Sequence, residues 1–241
     1  MNIVKPHATI INADNIYDST SGWQFPPFTR DDGINLLRKI EWCGRISHRS
    51  EDKQVLGSWE PFIKAVVIGH GDWSIVEHAS VTVDAVVDRG ITHEWVRHRL
   101  FSYTQESTRF VNYGKKESLL RFVIPPGMDE TVYPSFANLS TEHWTQAIVE
   151  CETRYREMLG CGCPPQIARS ILPNALASRI IVTGNLRNWR HFLIMRTTRE
   201  SHPQMREVTI PLLMEFKSNI PILFDDIEPL AKQSEGMKRA R

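Results

Sequence analysis

Ala79-Ser80-Val81-Thr82-Val83-Asp84-Ala85-Val86-Val87-Asp88 alternates between apolar and polar residues along most of its length. Ala79, Val81, Val83, Ala85 and Val87 share one face; Ser80, Thr82, Asp84 and Asp88 share the other. Successive side chains of an extended chain point to opposite sides, so this spacing predicts a half-buried strand. Gly90 breaks it, and Ile91 to Arg99 suits a short helix.

Upstream, Trp59 to Ile68 reads as a helix ended by Gly69, and the polar segment Ser47 to Ser58 reads as a loop. Asp31 and Asp32 open a helix that runs through Leu36, Leu37 and Ile40. Residues 7–14 form a first strand. Downstream, Phe101 to Tyr113 is too polar and aperiodic to assign. Phe122 to Ile124 suits a strand before Pro125-Pro126. Residues 138–159 place Trp144, Ile148, Cys151, Tyr155 and Met158 at helical spacing. Pro164-Pro165 starts a helix over Gln166 to Ile171, because proline fits a first turn. Leu176 to Val182 reads as a strand ended by Gly184, Asn188 to Thr197 as a helix, and Met205 to Ser218 as a helix with Pro211 as its kink. Strands mixed with helices and no linker predict one α/β or mixed α+β domain over residues 1–230. A polar, basic tail follows at 231–241.

The chain has 241 residues, 41% hydrophobic and 24% charged, which is ordinary for a globular protein. Apolar runs such as that at Ile63 to Ile68 are far too short to span a bilayer. Met1 to Asp14 lacks a charged-then-apolar signal layout, so a cytoplasmic location without membrane attachment is expected. A net charge of +1 weighs against a nucleic-acid partner. Arginine makes up most of the 29 basic residues, and its planar fork suits phosphate and carboxylate, although surface ion pairs use it as well. Cys161-Gly162-Cys163 has one residue between its thiols, where a zinc or thioredoxin-like pair has two. The four cysteines read as reduced thiols.

Several sources of chemistry can be set aside. The chain has no glycine-rich dinucleotide fingerprint, no phosphate loop and no Gly-x-Ser-x-Gly elbow. His93 and His98 are five apart and diverge by roughly 140° on a helix, so they do not form a zinc pair, and no metal is expected. The densest polar stretch is Arg97-His98-Arg99-Leu100-Phe101-Ser102-Tyr103-Thr104-Gln105-Glu106-Ser107-Thr108-Arg109-Phe110. On a helix Arg97, His98 and Arg99 fan out by about 100° each, so they would serve more than one ligand. Ser107 and Arg109 add a hydroxyl, backbone amides and a guanidinium, a set that suits a phosphate monoester. A solvated helix end with capping residues fits the same residues. A single-strand-binding platform of Phe101, Tyr103 and Phe110 and a histidine-based metal hydrolase are the competing functional classes.

Arg-His-Arg, seven residues, then Ser is the signature of the flavin-dependent thymidylate synthases. Arg97, His98, Arg99 and Ser107 match it. Gly69-His70 with Ser74 and Glu77-His78 resembles the family's preceding segment. Gln166-Ile167-Ala168-Arg169 before Leu172-Pro173 resembles its Ala-Arg segment. Asn185-Leu186-Arg187 with Trp189-Arg190-His191-Phe192 and Arg196 resembles its Asn-x-Arg segment and late arginine. Gln105 stands where some members have Glu, Phe110 replaces a common Tyr, and Arg196 to His202 looks about two residues longer than in the shortest members.

The resemblance implies a central mixed sheet flanked by helices, and a homotetramer whose sites are each built from several chains. It implies FAD contacts at Ser74, Arg97, His98, Arg99, Gln105, Asn185, Leu186, Arg187 and His191. It implies dUMP contacts at Glu94, Trp95, Val96, Arg97, Gln105, Glu106, Ser107, Thr108, Arg109, Arg169 and Arg196. Arg196 would favour ionisation at the uracil N3, with Ser107 a substrate contact and not a nucleophile. The implied reaction converts dUMP to dTMP with one carbon from methylenetetrahydrofolate and a hydride from FAD that NADPH has reduced.

Overall fold

The computed structural model describes residues 1–11, 27–115, 119–128 and 137–231. Residues 12–14 of the expected first strand, and all of the expected tail beyond Ala231, lie outside them. The chain forms two compact units, each drawn from three separate stretches. The first takes Met1–His7, Ala85–Arg97 and Thr104–Ile180; the second takes Ala8–Asp84, His98–Tyr103 and the chain from Ile181 onward.

Among the described residues six strands form two sheets. β1 (Asn2–Val4) pairs in parallel with β5 (Arg121–Val123), with Ile3 opposite Phe122. The second sheet has the order β2 (His7–Ile11), β3 (Ser80–Asp88), β6 (Ala177–Asn185), β4 (Ser102–Gln105). Thr82 and Thr183 share a hydroxyl hydrogen bond, and Leu186 N–H donates to Ala79. Partners that rise along one strand fall along the other, so β3 and β6 run antiparallel. The predicted alternation holds at Val81, Val83, Ala85 and Val87, all buried. Val86 and Asp88 are also buried, so the strand's last turns of pleat are covered on both faces.

In the first unit, Asp88 ends β3 and caps α3 (Arg89–Trp95), its carboxylate accepting from Ile91 N–H at 2.8 Å. Gly90 therefore lies inside the first helical turn. The helix stops at Trp95, not Arg99: Arg97 N–H turns back to Glu94 in a tighter bond. The long helix α4 (Ala137–Gly160) packs Ile148 and Tyr155 against Phe122, Leu120, Ala168 and Leu176. Its end explains Cys161-Gly162-Cys163. Gly162 adopts φ 84°, Gly162 N–H returns to Leu159 and Cys163 N–H to Met158. That is a Schellman cap, which needs glycine at the left-handed position. α5 (Pro165–Ala168) and a 3-10 turn over Arg169–Ile171 follow, where one helix was expected.

In the second unit, α1 (Arg30–Ile46) opens on a reciprocal capping box between Thr29 and Asp32. Gly33 sits against the Asn219 carbonyl of α7 (Pro203–Asn219), so a Cβ there would meet backbone at 1.8 Å. Only the first part of the predicted Trp59–Ile68 helix is α-helical: α2 (Trp59–Phe62) passes into a π-helix over Ile63–Gly69. β6 continues through Gly184, and α6 (Leu186–Arg196) starts at once, with Asn185 as its N-cap accepting from Asn188 N–H at 2.8 Å. The expected start at Asn188 is thus two residues late. Pro211 lies inside α7 as expected. Trp189, Phe192, Phe216 and Phe224 pack together in the core, Trp189 edge to face on Phe192 and the Trp189–Phe216 and Phe216–Phe224 pairs tilted.

Candidate active site

The turn from β6 into α6 brings distant residues of the second unit together. Ser74, Asn185, Arg187 and His191 line a cavity of about 760 Å³ with Trp73 and Arg190. That volume is within the range of cofactor sites, roughly 300–1,000 Å³. Arg187 reaches Glu77 at 2.6 Å, with both side chains about half exposed. Such an exposed pair contributes little to stability and leaves a guanidinium at the cavity wall. Leu186 is fully buried, its N–H donates to the Ala79 carbonyl, and it is not among the residues that line the cavity.

Arg97, His98 and Arg99 are not helical. They occupy the turn after α3, with Arg97 and Arg99 exposed and His98 half-buried. The 100° fan expected of them is replaced by a turn, of which the part from His98 onward is pinned within the second unit. Tyr103 Oη–H donates to the His98 carbonyl at 2.6 Å, and Asn188 Nδ2–H donates to the Leu100 carbonyl at 3.0 Å. The His98 ring rests edge-on against Phe192. Its Nε2 accepts from Nε–H of Arg196 at 2.8 Å. Burial, then the positive charge of Arg196, then His191, push the His98 pKa down to about 4. His98 is therefore neutral with its proton on Nδ1, and the last turn of α6 presents a fixed guanidinium.

The first unit assembles most of the residues expected around dUMP. β4 places Gln105, whose Nε2 donates to Thr92 and Ser178 hydroxyls at 3.0 and 3.1 Å. Glu106 accepts from Tyr113 Oη–H at 2.7 Å and lies 3.7 Å from Arg121. Burial and the Glu106 carboxylate raise the Tyr113 pKa. Ser107 heads a turn: its carbonyl accepts from Phe110 and Val111, and its hydroxyl accepts from Arg109 N–H. Arg109 reaches Gln166 at 3.4 Å, and Arg169 donates to Thr108 Oγ at 3.2 Å. Two exposed guanidiniums thus flank the Ser107–Arg109 turn. Glu94 is partly buried, Val96 exposed, and Trp95 fully buried, so the Trp95 side chain serves the core.

Sequence reasoning passed over two cavity residues. Arg190 has the look of a solvated position on a late helix, yet it is buried, gripping Asp226 with two bonds of 2.6 and 2.7 Å. Trp73 stands beside Ser74 with no periodic signal of its own. Trp189 and Phe192 are fully buried core residues. His70 and His78 have exposed side chains; His70 is the C-cap of the π-helix through its backbone N–H, and His78 ends a 3-10 turn over Trp73–His78. Among the described residues no three His, Cys, Asp or Glu side chains gather as a metal site.

This is an α+β protein with a cofactor-sized cavity and an arginine-flanked turn suited to a phosphate. A family model described as thymidylate synthase complementing protein matches residues 35–222. The flavin-dependent thymidylate synthase of Mycobacterium avium (strain 104) is 33% identical over 214 residues, covering 83% of each chain. That of Mycobacterium marinum (strain ATCC BAA-535 / M) is 32% identical over 216 residues, covering 84% of this chain and 83% of the relative. The crystal structure of PolB, a UMP/dUMP methylase from Streptomyces cacaoi bound with 5-Br dUMP, superposes with a TM-score of 0.70. It covers 93% of this chain and 96% of that one at 21% identity, which shows a shared fold. The chain belongs to the flavin-dependent thymidylate synthase family.

Proposed function

We propose that the chain converts dUMP to dTMP, with methylenetetrahydrofolate as carbon donor, FAD as cofactor and NADPH as its reductant. One observation carries the flavin part. Ser74, Asn185, Arg187 and His191, expected to touch FAD and far apart in sequence, line a single cavity of cofactor size. The polar wall fits a nucleotide cofactor, since it offers hydroxyl, amide, imidazole and guanidinium groups. When bound, the flavin would supply the hydride that turns the transferred one-carbon unit into a methyl group.

The residues have distinct tasks in this reading. Arg97, His98, Arg99, Gln105 and Leu186 complete the FAD contacts. Ser107, Arg109 and Arg169 hold the dUMP phosphate; paired guanidiniums and a hydroxyl are strong, directional partners for a phosphate. Glu94 to Val96, Gln105, Glu106 and Thr108 shape the rest of the nucleotide site. Arg196 lies beside the uracil and stabilises negative charge as N3 ionises, which makes C5 the better nucleophile towards the one-carbon unit. The C5 proton is lost as the new bond forms, and tetrahydrofolate leaves. The working form is a homotetramer in the cytoplasm, and among the described residues no helix is long and apolar enough to cross a membrane.

The test is an absorption spectrum of the purified protein, followed by anaerobic turnover of the NADPH-reduced protein with dUMP and methylenetetrahydrofolate. A yellow protein whose flavin is reoxidised as dTMP appears is the expected result. A colourless chain that binds neither FAD nor dUMP overturns the proposal.

A further inference from the structure

Trp73 borders the flavin-sized cavity, and its indole is not left loose there. The Arg190 guanidinium carbon lies 4.5 Å from the indole centroid. Arg190 is itself immobilised: it grips Asp226 with two bonds and donates to the Leu223 carbonyl at 2.6 Å. The backbone below is equally fixed. His70, Gly71 and Asp72 N–H groups return to Ala65, Val67 and Val66 at the end of the π-helix, and Trp73 N–H closes on Gly71. Gly71 adopts φ 83°, a conformation that glycine takes without strain. The half-buried ring thus has a buried cation on one side and the cavity beside it.

A cation on one face of an aromatic ring is held by the ring quadrupole and draws electron density towards itself. The ring becomes a stiff plate whose remaining surface suits stacking against a flat heteroaromatic ring. From this arrangement we propose that Trp73, backed by Arg190, is the stacking platform for a heteroaromatic ring of the cofactor. The inference rests on the flavin reading above and adds a binding residue to it. Both the adenine and the isoalloxazine of FAD have the required chemistry. Because ring and backbone are ordered before the ligand arrives, stacking costs little conformational entropy.

The experiment titrates wild-type protein, Trp73→Leu and Trp73→Phe with FAD and with FMN, following indole fluorescence and flavin absorbance, with the melting temperature of each apo protein as a fold control. Trp73→Leu is expected to weaken FAD by about ten- to a hundredfold, to lose part of the ligand-induced fluorescence quench and to keep a near-wild-type melting temperature. Trp73→Phe is expected to recover most of the affinity. A loss for FAD with none for FMN assigns the platform to adenine; equal losses assign it to isoalloxazine. Wild-type affinity in Trp73→Leu overturns the inference alone, as does an equal loss in both variants matched by a lowered melting temperature. Wild-type protein that binds neither flavin overturns the flavin reading together with it.

Discussion

Nε–H of Arg196 donates to Nε2 of His98 across 2.8 Å, which joins the last turn of α6 to the middle of the Arg-His-Arg motif. The bond fixes both partners: the imidazole carries its proton on Nδ1, and the guanidinium loses the freedom of a long side chain. A fixed charge is what electrostatic catalysis requires, because it needs no reorganisation as the substrate becomes anionic.

Arg196→Ala should accordingly keep bound flavin and lose turnover by about a hundredfold or more, the scale seen when one preorganised donor is removed. Flavin content by absorbance and single-turnover dTMP formation would be measured together. Loss of flavin with normal turnover per bound flavin would show that the arginine serves the cofactor.

The same bond gives stability a pH signature. The His98 pKa is depressed in the folded chain to about 4 from 6.5, chiefly by burial and then by Arg196. A base with a lowered folded pKa binds its proton more readily when unfolded. His98 therefore makes no pH-dependent difference above about 6.5, costs stability as pH falls from there towards 4, and adds no further slope below. The ring is partly open to solvent, so screening reduces the size of the effect. Melting temperatures of wild type and His98→Leu across that range would be compared. The wild-type curve should fall more steeply with acid; parallel curves would refute the assignment.

What the sequence disclosed depended on how local its cause was. The Val81-Val83-Ala85-Val87 alternation, the helix start at Asp31 and Asp32 and the α4 stripe are set by neighbours along the chain, and all were readable. Gly184 misled because it resembles a strand breaker. In the structure it is the residue on which Phe101 lies, a contact between distant segments. β4 has the polar sequence Ser102-Tyr103-Thr104-Gln105 and exists because β6 offers it a partner. The π-helix at Ile63–Gly69 carries no compositional mark. The candidate site divides in the same way. Short motifs marked Ser74, Asn185, Arg187 and His191, whereas the Trp73–Arg190 pair depends on Asp226 and Leu223, which follow α7.

The neighbours of Gln105 favour an amide there over a carboxylate. The Thr92 hydroxyl donates its proton to the Arg89 carbonyl at 2.9 Å, so it offers Gln105 only lone pairs. The amide Nε2–H satisfies them, while a carboxylate would face an acceptor. Gln105→Glu should cost about 1–2 kcal/mol at neutral pH, with part regained in mild acid as the new carboxyl takes up a proton. Chemical denaturation at both pH values would measure this. Equal stability at neutral pH would mean that Thr92 turns its hydroxyl away from Arg89.

Gly184 controls the motif turn through Phe101. A Cβ at Gly184 would lie 2.3 and 2.4 Å from two ring carbons of Phe101, far inside contact distance. The ring has little room to yield, because its other side meets Trp189 edge-on at 4.7 Å between centroids, and Trp189 is fully buried with its indole N–H donating to Val81. Gly184→Ala should therefore destabilise by about 1–3 kcal/mol, the usual cost of overpacking. It should also displace the chain between His98 and Tyr103, on which the Arg196 contact depends. The expected result is a lower melting temperature together with a fall in turnover that persists at temperatures where the variant is fully folded. Restoring space with Phe101→Leu in the same chain should recover stability in part, since neighbouring substitutions that relieve one clash are not additive. A Gly184→Ala protein with wild-type melting and turnover would show that Phe101 does not hold the motif in place.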